Sequence, residues 1–493
     1  MKDILSRKSE IMVRSVGIDY SRYESGFVAF DYERMMADAG GDLAEAASIQ
    51  AETGVGGTPL LELRNLTELA RRCAPAGKGA RIFLKDEAAN PSGSFKARRA
   101  SLSVKRATEL GYPGVIAATS GNYGAAVASQ AAMRGLRCIV LQECFDSTGV
   151  GQPEIVEKAR ACEAFGAEVV QLSVGPELFL VFLSLLEETG YFNASLYTPT
   201  SIAGIETLGA EIAEQVRKRT GRLPDAVVIT NAGGGNVTGT ARGLAKAGAH
   251  QTRIIGASVN LSGLHMANDA HFNRKSFTTG HTGFGVPFAV MPDRSDVPRS
   301  AARPLRYLDR YVTVAQGEVF AMTEALARLE GLERGPAGNT SLAAAFAIAR
   351  EMRREEVVVV QESEYTGAGK HVQPQLSFAR RNGIAVRIGD PVHEVPGESI
   401  VLPASPELVT AKDLPLDELR ASRIRHALSG SEDRMRDLRD LVRDGTPLTS
   451  AQKRTYRETV DYLAKETKRT NGFVEQTIDA LLGGPAPDAR PEP

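Results

Sequence analysis

At 493 residues the chain is long enough for about two to four compact units of roughly 100–200 residues each. Hydrophobic residues make up 42% and charged residues 24%, the balance of a soluble globular protein. Its 59 basic and 60 acidic side chains nearly cancel. That excludes the long-range basic field that gathers nucleic acid or anionic membrane, so an anionic ligand must be held by a local pocket. The first residues, MKDILSRKSEIMVRSVG, carry scattered charge and no signal-peptide core, and no apolar run approaches the ~20 residues of a membrane span. A cytoplasmic protein is expected. Cys73, Cys138, Cys144 and Cys162 show no C-x-x-C pairing, so they read as reduced thiols and no metal site is expected.

In chain order, residues 1–55 read as a polar, partly helical extension. From about residue 80 to 260, β-branched runs alternate with Ala/Glu/Lys-rich stretches, which predicts an α/β body with parallel sheet. The predicted strands are RIFLK (81–85), GVIAAT (114–119), RCIVLQ (137–142), EVVQL (168–172), AVVIT (226–230), RIIGASV (253–259) and EVVVVQ (356–361). Several are apolar throughout, as strands covered on both faces should be. Helices are predicted over 97–110, 123–134, 153–165 and 204–220. From about residue 410 the chain reads as charged helices, and the last stretch, GGPAPDARPEP, as disordered.

Four polar motifs fall just after strands, where open α/β sheets bind ligands. In NPSGSFKARRA (90–100), Lys96 would open a helix, where the positive end of the helix dipole disfavours its protonated form and favours Schiff-base chemistry. The plainer reading is a surface lysine in a Ser/Gly turn. In TSGNYG (119–124), Ser120, Gly121 and Asn122 would direct backbone N–H groups at a carboxylate; a helix cap explains the same residues. In TNAGGGNVTG (230–239), three glycines let backbone close around an anion, with Asn236 and Thr238 as donors. The motif is neither a nucleotide P-loop nor G-x-G-x-x-G, because Thr238 stands at the third glycine position, and His371 breaks the P-loop pattern of GAGK (367–370). In VVVVQESEYTGAGK (357–370), Ser363 is placed to face a ligand, where a hydroxyl would bond a pyridine nitrogen without forcing its protonation.

Together, in this order, the motifs resemble the fold-type II enzymes of pyridoxal 5'-phosphate, such as cysteine synthase, threonine synthase and serine/threonine dehydratase. GVGGTPL (54–60) and GPAGNTSLAAA (335–345) extend the resemblance over roughly residues 55–380. It implies two open parallel-sheet domains with helical N- and C-terminal extensions. These are an extension over 1–55, a large cofactor-binding domain over 56–105 and 206–400, a small substrate-binding domain over 106–205, and a helical extension with disordered tail over 401–493. It also implies that Lys96 holds the cofactor as an imine and shuttles protons. Asn122 would contact the ring's 3'-oxygen. Gly233, Gly234, Gly235, Asn236 and Thr238 would bind the phosphate, Ser363 the ring nitrogen, and Thr119, Ser120, Gly121 and Asn122 the substrate carboxylate. Many relatives have Lys-Asp-Arg where this chain has Lys96-Ala97-Arg98, which argues against the commonest activities.

Longer stretches, KDEAANPSGSFKARRAS, IAATSGNYGAAVASQAAMRGL, QECFDSTGVGQPEIVEK, GYFNASLYTP and ESEYTGAGKH, with the N-terminal VGIDYSRYESGFVAFDYERMM, are similar to one branch of that family. That branch is the β subunits of 2-amino-4-oxopentanoate thiolases of ornithine degradation. The resemblance implies an amino-acid substrate cleaved with coenzyme A to acetyl-CoA and alanine, the D form expected, a small α subunit as partner and a homodimeric core. For the coenzyme's phosphates only Arg98–Arg99 and Lys105–Arg106 offer themselves. Cys144 could carry an acetyl group transiently, although a buried, inert thiol is the favoured reading. Two rivals stand beside this one: a β- or γ-replacement or elimination enzyme, and a non-catalytic scaffold subunit. The intact Lys96, Asn122 and glycine cradle argue against the scaffold.

Overall fold

The all-apolar runs lie where their composition requires, in sheet interiors. Val357–Glu362 and Gly114–Thr119 are buried at every residue, which a strand achieves only with cover on both faces. These features come from a computed structural model, which describes residues 4, 6–25, 28–119, 121–145, 149–151, 153–173, 177–195, 197–260, 289–291, 302–365, 372–443 and 449–483. Ser120, the GAGK stretch and the tail expected to be disordered lie outside the described residues.

Two sheets organise the body. Across the larger, the strands run Lys412–Asp413, Arg310–Val314, Arg253–Val259, Ala226–Thr230, Val357–Glu362, Arg81–Asp86 and Leu60–Glu62; the five central ones are parallel and the two edges antiparallel. The smaller sheet is wholly parallel, in the order Glu168–Ser173, Arg137–Phe145, Gly114–Thr119, Phe192–Asn193. All seven predicted strands are present. Leu60–Glu62, Phe192–Asn193 and Lys412–Asp413 went unpredicted because two or three residues carry no readable period, the last in the stretch expected to be helical, and the five-residue strand Arg310–Val314 was missed as well. Among the described residues no helix is long and apolar enough to cross a membrane.

Helices Lys96–Glu109, Asn122–Arg134 and Pro153–Ala164 match the prediction to within a residue at either end. The next, Pro199–Thr220, begins five residues earlier than the expected 204. Thr198 caps it, its hydroxyl accepting the Ser201 N–H at 3.3 Å, and Pro199 fills the first helical position, where a missing N–H costs nothing. This long helix lies against Gly235–Lys246 with almost no gap. A methyl group at Gly209 would lie 2.1 Å from the Thr240 carbonyl oxygen, and one at Gly243 1.8 Å from that of Glu206.

The two extensions share one core. Tyr20, Phe30, Tyr32, Met35 and Met36 from the N-terminal side pack with Ile424, Leu428, Leu463, Val474 and Ile478 from the C-terminal helices, and both meet Ile202 and Ala203 of the long helix. The charged C-terminal helices, Leu416–Leu428 and Ser450–Thr467 among them, therefore cover the body.

Because Gly209 and Gly243 set the spacing of the helix pair, Gly243→Ala is expected to cost about 1–3 kcal/mol through overpacking. A lowered thermal midpoint with unchanged helical circular dichroism would show it; an unaltered midpoint would contradict the close approach.

Candidate active site

Two of the predicted motifs are tied to each other by backbone. The Phe95 N–H donates to the Ser363 carbonyl at 3.0 Å and the Tyr365 N–H to that of Gly93 at 2.8 Å, while Ser94 and Glu364 form an antiparallel bridge. Ser92 and Gly93 turn the chain with φ of 65° and 71°. For serine that is an uncommon left-handed conformation of the kind found at functional sites. The turn delivers Lys96 to the first position of its helix. Burial is the largest influence on the Lys96 amine and lowers its pKa from 10.5 to about 8. Glu364 opposes the shift; Arg99 and Lys158 reinforce it. The direction is as expected, but desolvation is its chief cause, where the sequence had suggested the helix dipole. Burial raises Glu364 above the ordinary carboxylic acid range, against the pull of Lys96 and Lys158.

The TSGN loop ends the strand Gly114–Thr119. The Thr119 hydroxyl accepts the N–H groups of Gly121 at 2.9 Å and Gly124 at 3.2 Å, so it caps the helix that Asn122 opens. Asn122 is buried, and its Oδ1 has no hydrogen-bond partner among the described residues. Lys158, on the helix Pro153–Ala164, is buried beside this loop; its side chain would lie 3.7 Å from a methyl at Gly121.

The glycine cradle closes more tightly than a turn requires. A methyl at Gly233 would lie 1.6 Å from the Tyr197 hydroxyl, at Gly234 2.8 Å from the Pro304 ring, and at Gly235 2.4 Å from a guanidinium nitrogen of Arg99. Gly234 has φ of 84°, and Gly235 starts the helix Gly235–Lys246. Thr238 is engaged within the cradle: its hydroxyl accepts the Arg303 N–H and donates to the Gly234 carbonyl, both at 2.8 Å. Asn236 Oδ1 accepts the Gln361 side-chain amide at 2.8 Å, joining the cradle to the strand that ends at Ser363.

Ser363 is buried directly past that strand. Both flanking residues are buried acids. Burial, with Glu364 and Asp86 adding to it, drives the Glu362 carboxyl well above the usual carboxylate range while Arg334 opposes. The Glu362 Oε1 has no hydrogen-bond partner among the described residues, and a methyl at Gly338, in the GPAGNTS segment, would lie 1.9 Å from it. Glu364, Lys158, Tyr197 and Arg99 were not foreseen in this site. For Glu362 and Glu364 a signal existed: charged residues continuing an all-apolar strand must be buried with it.

Other candidates lie elsewhere. Arg98 is not available to coenzyme A phosphates, because it is fully buried and bonded to Glu87 at 2.7 and 2.9 Å and to Glu211 at 2.8 Å. Lys105 pairs with Glu52 at 3.5 Å and Arg106 with Glu109 at 3.9 Å. Cys144 is buried against Ile155 and Ala159, and burial, reinforced by Glu163, pushes its thiol up to about 11. The thiolate that acyl transfer needs is thereby disfavoured.

The family described as pyridoxal-phosphate dependent enzyme matches residues 51–363. The 2-amino-4-ketopentanoate thiolase beta subunit of Acetoanaerobium sticklandii is 63% identical over 480 residues, 97% of this chain and 98% of that protein. A second protein of that name, from an unknown prokaryotic organism, is 62% identical over 97% of each chain. Among solved structures, a T.th. threonine deaminase is 27% identical and covers 65% of this chain and 96% of its own, with a TM-score of 0.50. The fold is that of the fold-type II enzymes. The residues present fit their cofactor: a desolvated amine for an aldehyde, a cradle where side chains would collide for a phosphate, and a buried Asn122 oxygen without a partner among the described residues.

Reactivity of the Lys96 amine should rise with pH through about 8, since only its neutral form is nucleophilic and burial lowers the pH at which that form appears. Trace acetylation of cofactor-free protein, read peptide by peptide, is expected to give Lys96 a midpoint near 8. A midpoint at the ordinary 10.5 would contradict the desolvated site.

Proposed function

The chain belongs to the pyridoxal-phosphate dependent enzymes, and on that premise we propose that it is the cofactor-bearing β subunit of a 2-amino-4-oxopentanoate thiolase. The substrate would be cleaved with coenzyme A to acetyl-CoA and alanine, the D form, in ornithine degradation in the cytoplasm. A small α subunit would complete the enzyme around a homodimeric core. One observation carries the reading: the likeness to the thiolase β subunits runs through both terminal extensions, whereas the threonine deaminase accounts for less of the chain. The extensions, packed as one core behind the body, are therefore shared with the thiolase subunits.

The reaction balances without an oxidant. The coenzyme's sulfur bonds to C4 as the C3–C4 bond breaks, the acetyl unit leaves on sulfur, and the thiol proton replaces that bond at C3 to complete alanine. Bound pyridoxal phosphate would supply the electron sink for this chemistry. The chain's own groups would bind, orient and move protons. Lys96 would hold the cofactor and, with an amine tuned to about 8, take and return protons near neutral pH. Glu364, which interacts electrostatically with Lys96, would receive or supply the proton that Lys96 exchanges. Asn122 would meet the 3'-oxygen and Ser363 the ring nitrogen. Gly233, Gly234, Gly235 and Asn236 would hold the phosphate in a cradle whose shape Thr238 fixes. Thr119, Ser120, Gly121 and Asn122 would hold the substrate carboxylate.

Enzyme produced together with its small partner should form acetyl-CoA and alanine in equal amounts from 2-amino-4-oxopentanoate and coenzyme A. Lys96→Ala should lose at least roughly 10²–10⁴-fold of that rate and show no pyridoxyl adduct after borohydride. In D₂O the intact enzyme should exchange the α-hydrogen of D-alanine. Release of pyruvate from L-serine, with no coenzyme-dependent cleavage, would instead make it an elimination enzyme. Because the Cys144 thiol is buried and held protonated, Cys144→Ser is expected to keep its activity and visible spectrum. Complete loss with the spectrum intact would make Cys144 the acetyl carrier.

A further inference from the structure

Arg99 is buried against the glycine cradle. It follows Lys96 by three residues on the same helix, so the two side chains share a face. Its guanidinium turns its Nη edge to the third glycine of the cradle: a methyl at Gly235 would be 2.4 Å from Nη2, 3.0 Å from Nη1 and 3.1 Å from Cζ. The guanidinium also lies over the Phe95 ring, with Cζ 5.5 Å from its centroid. Arg99 is only 3% exposed, and burial lowers its pKa to about 10, while the neighbours that hold its charge up are the phenols of Tyr197 and Tyr123. A buried guanidinium is stabilised by an anion at hydrogen-bond distance.

We propose that Arg99 is a side-chain anchor for the cofactor phosphate, binding it by a guanidinium fork while the backbone of Gly233, Gly234 and Gly235 encloses the other oxygens. The helix Gly235–Lys246 adds its positive end to the same spot. A guanidinium fork matches a phosphate bidentately and gives charge-assisted bonds, the strongest available to neutral-pH side chains. One rigid helix would then hold the cofactor at two ends, the aldehyde on Lys96 and the phosphate on Arg99. At this depth Arg99 serves a phosphate already enclosed by the cradle, which removes it from the surface groups available to coenzyme A.

The inference rests on the family's cofactor and stands independently of the thiolase assignment. Cofactor-free enzyme is titrated with pyridoxal 5'-phosphate and with pyridoxal, which lacks the phosphate, and binding is read from the visible band of the lysine-bound form. Arg99→Gln should weaken the phosphorylated cofactor on the order of 10- to 100-fold and leave pyridoxal binding unchanged. Arg99→Lys, which keeps the charge but not the fork, should fall between. An equal loss for both compounds would make Arg99 a packing residue and overturn the proposal, as would no loss for either. If Arg99→Gln does not fold, Arg99→Lys decides alone: a preference for the phosphorylated compound equal to the parent's overturns it, and a reduced one supports it.

Discussion

The structure around the site depends on drawing basic side chains away from water within one turn of one helix, Arg98 and Arg99 buried and Lys96 half-buried. Lys96, Arg98 and Arg99 are drawn into the protein together, and each meets the cost of desolvation differently. Lys96 holds its proton more weakly. Arg98 keeps its charge by pairing with Glu87 and Glu211; burial alone would raise the Glu211 acid, but Arg98 and Lys85 hold it down at about 2. Thr58, from the GGTPL segment, bonds Arg98 at 3.2 Å and Glu87 at 2.5 Å, and Lys85 on the neighbouring strand reaches Glu211 at 2.7 Å. Breaking such a buried pair typically costs about 3–5 kcal/mol, because the survivor is left charged and dry. The network therefore fixes the helix that presents Lys96 relative to the sheet and the long helix Pro199–Thr220.

A second set of charges stands behind the cradle and gives the extensions a physical role. Arg242, Arg303 and Arg306 gather over the Tyr32 ring, with Cζ 5.5, 5.6 and 4.9 Å from its centroid. The acids that balance them come from both ends of the chain: Glu466 reaches Arg303 at 2.9 Å, Glu33 reaches Arg242 at 2.7 Å, and Glu206 of the long helix reaches Arg242 at 2.5 Å. Arg303 is also the residue whose backbone N–H holds Thr238, and Thr238 holds Gly234. One ion pair and two hydrogen bonds thus link an acid in the C-terminal extension to the turn of the cradle.

What the sequence disclosed was what local patterning encodes. Strands covered on both faces declared themselves by unbroken apolar runs, and the motifs with Lys96, Asn122 and the three glycines do follow such strands. Lys158, Tyr197 and Arg99 were illegible for one reason: each meets the candidate site through contacts between segments far apart in sequence, whereas Glu364 left a signal as an acid continuing an apolar strand. Tyr197 and Gly233 meet across two helices, and Lys158 reaches the loop at Gly121 from the following turn of the fold. Arg98 misled for the complementary reason, since its partners Glu87 and Glu211 turn what reads as a basic patch into a neutral interior. Thr198 and Pro199 announced the true start of the long helix, a capping pair followed by an ambiguous small-residue stretch.

The juxtaposition of Lys96 and Glu364 bears on why the site suits repeated proton transfer. In water an amine and a carboxylic acid differ by about six units of acidity, so a proton placed on the amine stays there. Burial acts on both in opposite directions, lowering the amine and raising the acid, because each charged form is the one that water stabilises. Their proton affinities converge, so a proton passing between them climbs less. Lys158, close enough to affect both groups, favours the ionised acid and the neutral amine, which is the state that accepts a proton. The same burial that lowers the Lys96 amine therefore raises the Glu364 acid, and the backbone bridge between Ser94 and Glu364 ties the segments that carry them.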